Sequence, residues 1–324
     1  MKEFGFHKNK ICTIRINLFN LQAKNKKMKK TTIQIFSVIV ITAMLGACGG
    51  SKEEQQEKQI VETQDTIKSG VLNVGGQLFS IPSPIQTAML IQKLGLPFNK
   101  GILFASNKVN TFNTDATRAL ALGIYGADLG YVSMYNQTQE ALTYLGSIKQ
   151  LADKLGVSSA FDEKTFKRFE NNLSNKDSLV VLVGVAYRAS DNYLKNNKRM
   201  DISSLILLGG WLESMNIAIE SYKAKNNDEI KRRIAEQKLT VNNLVQLITL
   251  NAPDQTDLLA SLKDIAALYE KVEFKYQFAE PTTDTTRKIT YINSTNELIM
   301  SDDVFKNIIE KIQSLRNKIT NSAS

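Results

Sequence analysis

The chain has 324 residues, with 41 basic and 32 acidic side chains and a formal net charge of +9 at pH 7. Nine of the basic residues and one acidic residue lie in positions 1–47, which leaves 32 basic and 31 acidic residues, a net charge of +1, in positions 48–324. A nucleic-acid-binding surface needs a basic surplus, so we exclude nucleic acid as a partner of this part of the chain.

The first recognisable element is an apolar run that follows two lysines. Lys29 and Lys30 precede residues 33–45, which carry no charge and end in Leu45, Gly46 and Ala47 before Cys48. A basic start, a short apolar core and small residues at the end are the features of a secretory signal peptide. The run is shorter than the roughly 20 apolar residues of a transmembrane helix. We therefore predict a signal peptide at residues 28–47.

The sequence Leu45-Gly46-Ala47-Cys48 resembles the lipobox of bacterial lipoproteins. The resemblance covers residues 28–48 and implies three modifications: diacylglycerol on the Cys48 sulfur, cleavage before Cys48, and acylation of the new amino group. Membrane lipid would then be a partner, through fatty acyl chains such as palmitate on Cys48. A plain signal peptide, or a buried apolar segment with an incidental cysteine, is the alternative.

The segments on either side of this signal bear on where the protein starts and on which membrane it is targeted to. Residues 1–27 are basic and rich in asparagine, and we expect an upstream start-site extension ahead of Met28, with a long n-region as the alternative. Residues 48–70, rich in Glu, Gln and Lys, are predicted to form a flexible tether. Under the lipoprotein sorting rule, Gly49 in place of aspartate implies the outer membrane. Residues 51–54 resemble an acidic export signal, which leaves the periplasmic and surface-exposed sides both open.

Cleavage before Cys48 also limits the chemistry of the mature chain. The only histidine, His7, and the second cysteine, Cys12, lie upstream of it. A histidine general base, a Ser-His-Asp triad and an ordinary zinc site are therefore excluded. We predict a protein without enzymatic activity, cofactor or metal, although carboxylate, lysine, tyrosine or serine chemistry remains open.

The body, residues 71–324, is predicted to be a single all-α domain. Ser83, Pro84 and Gln86 match a capping box that begins a helix ending near Gly95, after an extended lead-in at 71–81 and before an irregular loop at 96–113. Helical periodicity then covers 114–155, 161–173, 177–196, 201–225, 230–248, 254–272 and 301–319. About eight helices with short loops indicate a multi-helix bundle or array, with one small β-hairpin near 288–300.

Small residues in the helical stretch 114–155 recur at spacings of three and four, so they share one helix face. Glycine inside a helix costs up to about 1 kcal/mol relative to alanine, and Gly123, Gly126 and Gly130 therefore need a compensating contact. We predict that a neighbouring helix backbone packs closely against this face. Related small-residue blocks around Gly184 and Gly209 are the expected partners.

The same helices carry the candidate residues for a ligand-binding site. They are Arg118, Tyr125, Asp128, Tyr187, Arg188, Asp191, Trp211 and Glu213. Ionisable groups among apolar residues are costly to bury unless they are paired. These side chains are therefore expected either to line a polar pocket between helices or to form salt bridges between helices in the core.

Three functions remain open. The first is a non-catalytic outer-membrane lipoprotein that acts as a binding or scaffold module and binds an envelope protein through an exposed apolar or aromatic patch. The second is a small-molecule binding protein that uses a polar pocket between helices. The third is a hydrolase with two carboxylates in an open cleft. The body also resembles an uncharacterised family of all-helical envelope lipoproteins, which implies no particular activity.

Overall fold

The computed structural model describes residues 83–158 and 192–321, and also 13–14, 71–74, 77–80, 163–173, 175, 178, 181–182 and 189–190. The predicted signal peptide, the lipidation site Cys48 and the tether lie outside these ranges. So do three of the candidate site residues, Tyr187, Arg188 and Asp191, and also Gly184.

The described body is all-α with a small β element, as the sequence predicts. The helices are α1 (Pro84–Lys93), α2 (Asp115–Met134), α3 (Thr138–Lys154), α4 (Glu163–Asn172), α5 (Met200–Ala224), α6 (Asp228–Ala235), α7 (Lys238–Asn251), α8 (Thr256–Tyr269) and α9 (Asp302–Asn321). The strands are β1 (Thr13–Ile14), β2 (Val71–Val74), β3 (Gln77–Ser80), β4 (Glu273–Gln277), β5 (Thr282–Asp284), β6 (Ile289–Tyr291) and β7 (Thr295–Ile299). The described residues within 178–196 are also helical.

Several predicted helix ends are confirmed and others are corrected. The first helix begins at Pro84 and ends before Gly95, whose φ of 74° suits glycine. The predicted capping box is wrong, because the Ser83 side chain makes no cap hydrogen bond. The stretch 114–155 is two helices, and Asn136 between them has a φ of 56°. The stretch 230–248 likewise divides into α6 and α7.

The core is built around α2 and α5, which make the most extensive contact between helices in the described body. The predicted close approach is confirmed where these two helices cross. A methyl group added to Gly123 would lie 2.6 Å from the backbone nitrogen of Gly210 and closer still to the carbonyl oxygen of Ile206. One added to Gly209 would lie 2.8 Å from the carbonyl carbon of Leu120. The two backbones are therefore in direct contact.

Helix α5 is also apolar on almost every side. Among the described residues it is the helix that is long and apolar enough to cross a membrane by length and composition, and 94% of its most apolar window is buried inside the structure. A buried core helix meets the same criterion, so this finding is weak evidence for a membrane span.

The β element includes a long, interrupted hairpin that corrects the predicted one. Strands occur near 288–300 as expected, but β6 pairs antiparallel with β5, and β7 pairs with β4. The chain does not turn at 292–294, because Asn293 Nδ2 donates to the carbonyl of Glu280 at 2.7 Å and Ser294 Oγ donates to that of Ala279 at 3.2 Å. The turn lies at 285–288, where Asp284 Oδ1 accepts the backbone N–H groups of residues 286 and 287.

Two more strand pairings complete the described β structure. Strand β2 pairs antiparallel with β3, from Val71 opposite Ser80 to Val74 opposite Gln77. The predicted extended lead-in at 71–81 is therefore a short hairpin. Strand β1, in the segment expected to be an upstream extension, pairs antiparallel with β6. By its internal contacts the chain forms two units, one comprising residues 1–55 and 274–297 and the other comprising 56–273 and 298–324.

Candidate functional site

The candidate site lies beneath the 96–113 loop. This loop contains two short 3-10 turns, Lys100–Ile102 and Ser106–Thr111, and buries Phe104 and Phe112. Buried backbone N–H and C=O groups outside regular structure need hydrogen-bond partners. In this loop the partners are side chains from the neighbouring helices.

The loop backbone around Phe104 is held from two helices. Asp128 Oδ2, on α2, accepts the backbone N–H of Phe104 at 3.2 Å. Tyr144, on α3, donates its hydroxyl to the carbonyl of Phe104 at 2.8 Å. Tyr125, on α2, donates to the carbonyl of Ala105 at 3.0 Å. Because such bonds replace hydration that the buried backbone has lost, each one contributes to holding the loop in place.

The two ends of the loop are held in the same way. Near its start, the Tyr131 hydroxyl accepts the backbone N–H of Asn99 at 3.1 Å, and the Tyr135 hydroxyl donates to the carbonyl of Leu96 at 2.8 Å. At its end, Arg118 Nε donates to the carbonyl of Phe112 at 3.2 Å. The hydroxyls of Tyr131, on α2, and of Tyr135, at its C-terminal end, therefore position the loop, while the Tyr131 ring packs in the core.

Below the loop lies the central ion cluster, which we define as Asp128, Glu213 and Arg316. Glu213 Oε2 is 2.8 Å from Arg316 Nε, and Glu213 Oε1 is 2.9 Å from Arg316 Nη2, so the guanidinium binds the carboxylate with two parallel hydrogen bonds. The Asp128 and Glu213 residues are each 0% exposed, whereas the Arg316 side chain is 14% exposed. The ion pair joins α5 to α9.

Asn216 connects the central ion cluster to the loop. Its Nδ2 atom donates to Glu213 Oε1 at 3.2 Å and to the carbonyl of Ile102 at 3.1 Å. The Arg316 guanidinium also lies 5.6 Å from the centre of the Phe104 ring, within the range of a cation–π contact. Loop and cluster therefore form one hydrogen-bonded assembly.

The electrostatics of the cluster favour a neutral Asp128. Burial raises the pKa of Asp128 well above its usual range, and the Glu213 carboxylate raises it further, although Arg316 and the Phe104 N–H act in the opposite direction. Two ionised carboxylates would share one guanidinium in a region closed to water, leaving a buried net negative charge. Asp128 Oδ1 also has no hydrogen-bond partner among the described residues, which is less costly for a protonated oxygen than for a charged one.

The tyrosines beside the cluster stay neutral. Burial raises the pKa of Tyr125 and of Tyr144 far above the usual tyrosine range, and the Asp128 carboxyl raises both further. Both hydroxyls therefore remain protonated at neutral pH and donate hydrogen bonds to the loop carbonyls.

The structure brings only some of the predicted site residues together. Tyr125, Asp128 and Glu213 meet at the central ion cluster. Arg118 lies at the far end of the loop and pairs with Asp115 at 3.2 Å, not with Asp128. Trp211 is elsewhere in the core, where its Nε1 donates to Gln237 Oε1 at 3.1 Å. The carboxylate pair of Asp128 and Glu213 is closed to solvent in this structure.

Two residues of the site were not predicted from the sequence: Arg316 of the central ion cluster, and Asn216, which connects the cluster to the loop. Arg316 adjoins the apolar stripe of α9, one position after Leu315 and four after Ile312, both of which are buried. A charged residue at the edge of a core-facing stripe is the signal that points to a buried partner. The partner, Glu213, is 103 positions earlier in the chain, which is why no local pattern could identify it.

The central ion cluster and the residues around it fix the backbone of the 96–113 loop, and the Arg316 guanidinium compensates the buried Glu213 carboxylate. The metal-ligating side chains His, Cys, Asp and Glu do not come together in groups of three or more in the part of the chain that the structure describes. Comparisons with protein-family models, with curated proteins and with solved structures found no match to the chain. The fold and site define an all-α bundle whose polar centre fixes the 96–113 loop.

We expect Asp128→Asn to flatten part of the dependence of stability on pH. A carboxyl whose pKa is raised on folding stabilises the protein below its unfolded pKa, near 3.9, and this contribution falls as pH rises toward the folded value. The slope from this one group is at most about 1.4 kcal/mol per pH unit. Asparagine keeps the acceptor for Phe104 and removes the titration. Urea unfolding between pH 4 and 8 would measure the difference between the two proteins.

The control for this experiment is Glu270→Gln. Hydrogen bonds from Lys238 and Asn242 lower the pKa of Glu270, so its contribution has the opposite sign and is lost as pH falls. Replacing Glu270 with glutamine should therefore change the free energy of unfolding only at the acid end of the pH range. An Asp128→Asn profile parallel to that of the parent protein would show that Asp128 is ionised throughout this range.

Proposed function

We propose that this protein is a lipid-anchored lipoprotein of the outer membrane whose folded body is a non-catalytic binding or scaffold module. The observation that carries the proposal is the sequence Leu45-Gly46-Ala47-Cys48, which follows a basic start and a short uncharged apolar run. Acylation of Cys48 would supply the anchor. Each buried methylene contributes about 0.8 kcal/mol, so several acyl chains together hold a protein stably on a membrane.

The geometry of the central ion cluster supports a non-catalytic role for the body. Tyr125 and Asp128, two of the candidate ligand-binding residues, hydrogen-bond to loop backbone. A third, Glu213, is ion-paired to Arg316. Residues already engaged in this way are less available to a substrate, since a ligand would have to displace well-formed buried bonds.

Exposed aromatic side chains on the hairpin support a binding or scaffold role. Tyr276 is 64% exposed and Phe278 is 67% exposed. They are two residues apart, so an extended backbone directs both to the same side. Large aromatic residues exposed next to each other are typical of surfaces that contact other proteins. An envelope protein is therefore the partner we propose for the body.

The experiment that tests the anchor is Cys48→Ala. We expect this variant to lose labelling by a fatty-acid analogue and to leave the membrane fraction, because alanine offers no sulfur for acylation. Cys12→Ala is the matched control, since it removes the other cysteine and should leave both labelling and fractionation unchanged. A Cys48→Ala protein that is still labelled and still sediments with membranes would overturn the proposal.

A further inference from the structure

A groove on the helical body lies apart from the central ion cluster. It has a volume of about 440 Å³ and is lined by Gln86 and Leu90 of α1 and by Glu229, Arg232, Arg233 and Glu236 of α6 and its C-terminal end. Sites for small ligands usually have volumes of about 300–1,000 Å³, with an apolar wall and a few polar groups. The groove therefore has the size to hold a small molecule, and its wall is charged apart from Gln86 and Leu90.

Arg233 is the unusual residue of this groove. Its Nε donates to Thr87 Oγ1 at 3.3 Å, whereas its Nη2 is buried and has no hydrogen-bond partner among the described residues. Burial lowers the pKa of Arg233, although Glu236 acts in the opposite direction. A guanidinium has five N–H donors in a planar fork that matches a carboxylate. A buried cationic donor without an acceptor is costly, and an anionic group in the groove beside Arg233 would offset part of that cost through its charge.

Glu229 supplies the opposite charge. It lies four residues before Arg233 on α6, the spacing that favours an ion pair. Over the described residues, however, no salt bridge joins the two side chains, because the Arg233 head group is directed to Thr87. The neighbouring pair is already matched, with Arg232 Nε 2.8 Å from Glu236 Oε1. Among the described residues, Arg233 and Glu229 in the groove wall therefore form no salt bridge.

We propose that this groove binds a small zwitterion of amino-acid size. Arg233 binds its carboxylate, Glu229 binds its ammonium group, and Leu90 contacts its apolar side chain. A simple anion fits less well because Glu229 and Glu236 repel it, and a simple cation fits less well because of Arg233. The inference goes beyond the lipid anchor and is independent of it, since the groove lies wholly within the helical body.

The test uses the purified full-length chain and three probes of similar shape. Leucine carries both charges, 4-methylpentanoate lacks the ammonium group, and 3-methylbutylamine lacks the carboxylate. By isothermal titration we expect leucine to bind saturably and each of the other two to bind at least tenfold more weakly. Absence of leucine binding, or equal affinity for leucine and either of the singly charged probes, would overturn the proposal.

Two substitutions in the groove wall test whether leucine binds there. Arg233→Lys keeps the charge but loses the planar fork, and Glu229→Gln keeps the shape but loses the charge, so each should weaken leucine binding at least tenfold. Arg287→Met is the control, since Arg287 is an exposed cation in the hairpin turn and its loss should leave binding unchanged. Circular dichroism of each variant reports folding. Unchanged affinity in the two folded groove variants would show that leucine binds elsewhere.

Discussion

Replacing Gly123 with alanine should destabilise the folded body by about 3 kcal/mol or more, the upper part of the range for overpacked cores. The added methyl group would lie 2.6 Å from the backbone nitrogen of Gly210 and 3.0 Å from the carbonyl carbon of Gly209. Backbone atoms cannot rotate away as side chains can, so α2 and α5 would have to separate. Gly209→Ala should have a similar effect, because its methyl group meets the backbone of Leu120.

Gly146→Ala is the matched control for this helix crossing. Gly146 lies on α3 with nothing within 4 Å of an added methyl group. Alanine there should stabilise the protein by up to about 1 kcal/mol through helix propensity alone. Urea or thermal unfolding of the three variants provides the comparison. If Gly123→Ala were as stable as Gly146→Ala, α2 and α5 could not be in backbone contact at this position.

The helix crossing could be predicted from the sequence because its signal is local. Gly123 and its small neighbours recur at the spacing of one helix face, and a helix that tolerates several glycines needs close packing in return. The sequence did not identify the contacts themselves, since which residues of α5 meet Gly123 depends on how the two helices cross. The pairing of Gly123 with Gly209 and Gly210 is therefore a property of the tertiary structure.

The 96–113 loop shows where sequence patterns cease to be informative. Its residues have no periodicity, and its backbone partners come from α2, α3 and α5, with Tyr144 and Asn216 far away along the chain. The polar residues on α2 were identified as unusual because they interrupt an apolar helix. These residues could bind either a ligand or a loop, depending on which part of the structure packs over them. The periodicity of a helix carries no information about its tertiary neighbours.

The hairpin turn was misplaced for a related reason. The sequence predicts a small hairpin near 288–300, but not the first arm of the hairpin at 273–284. Without that arm, strands within 288–300 could only be paired with each other. The cross-arm hydrogen bonds of Asn293 and Ser294 and the turn at Asp284 are what determine the observed pairing.

Arg316→Met should be the most destabilising change in the central ion cluster, by about 3–5 kcal/mol, the usual effect of removing one partner of a buried ion pair. Among the described residues, the Glu213 carboxylate would keep Asn216 as its hydrogen-bond donor and would have no counter-charge, beside the second carboxyl of Asp128. Methionine fills much of the arginine volume, so the effect reports charge more than a cavity. Urea unfolding at neutral pH measures the loss of stability.

Two comparisons separate this electrostatic explanation from lost packing. Lys318→Met, two residues further along α9, removes a cation whose salt bridge with Asp257 is largely exposed, and it should change stability by no more than about 1 kcal/mol. Adding Glu213→Gln to Arg316→Met should recover a large part of the loss, because the unpaired buried charge is then absent. A deficit that is unchanged in the double variant would mean that Arg316 stabilises the bundle by packing alone.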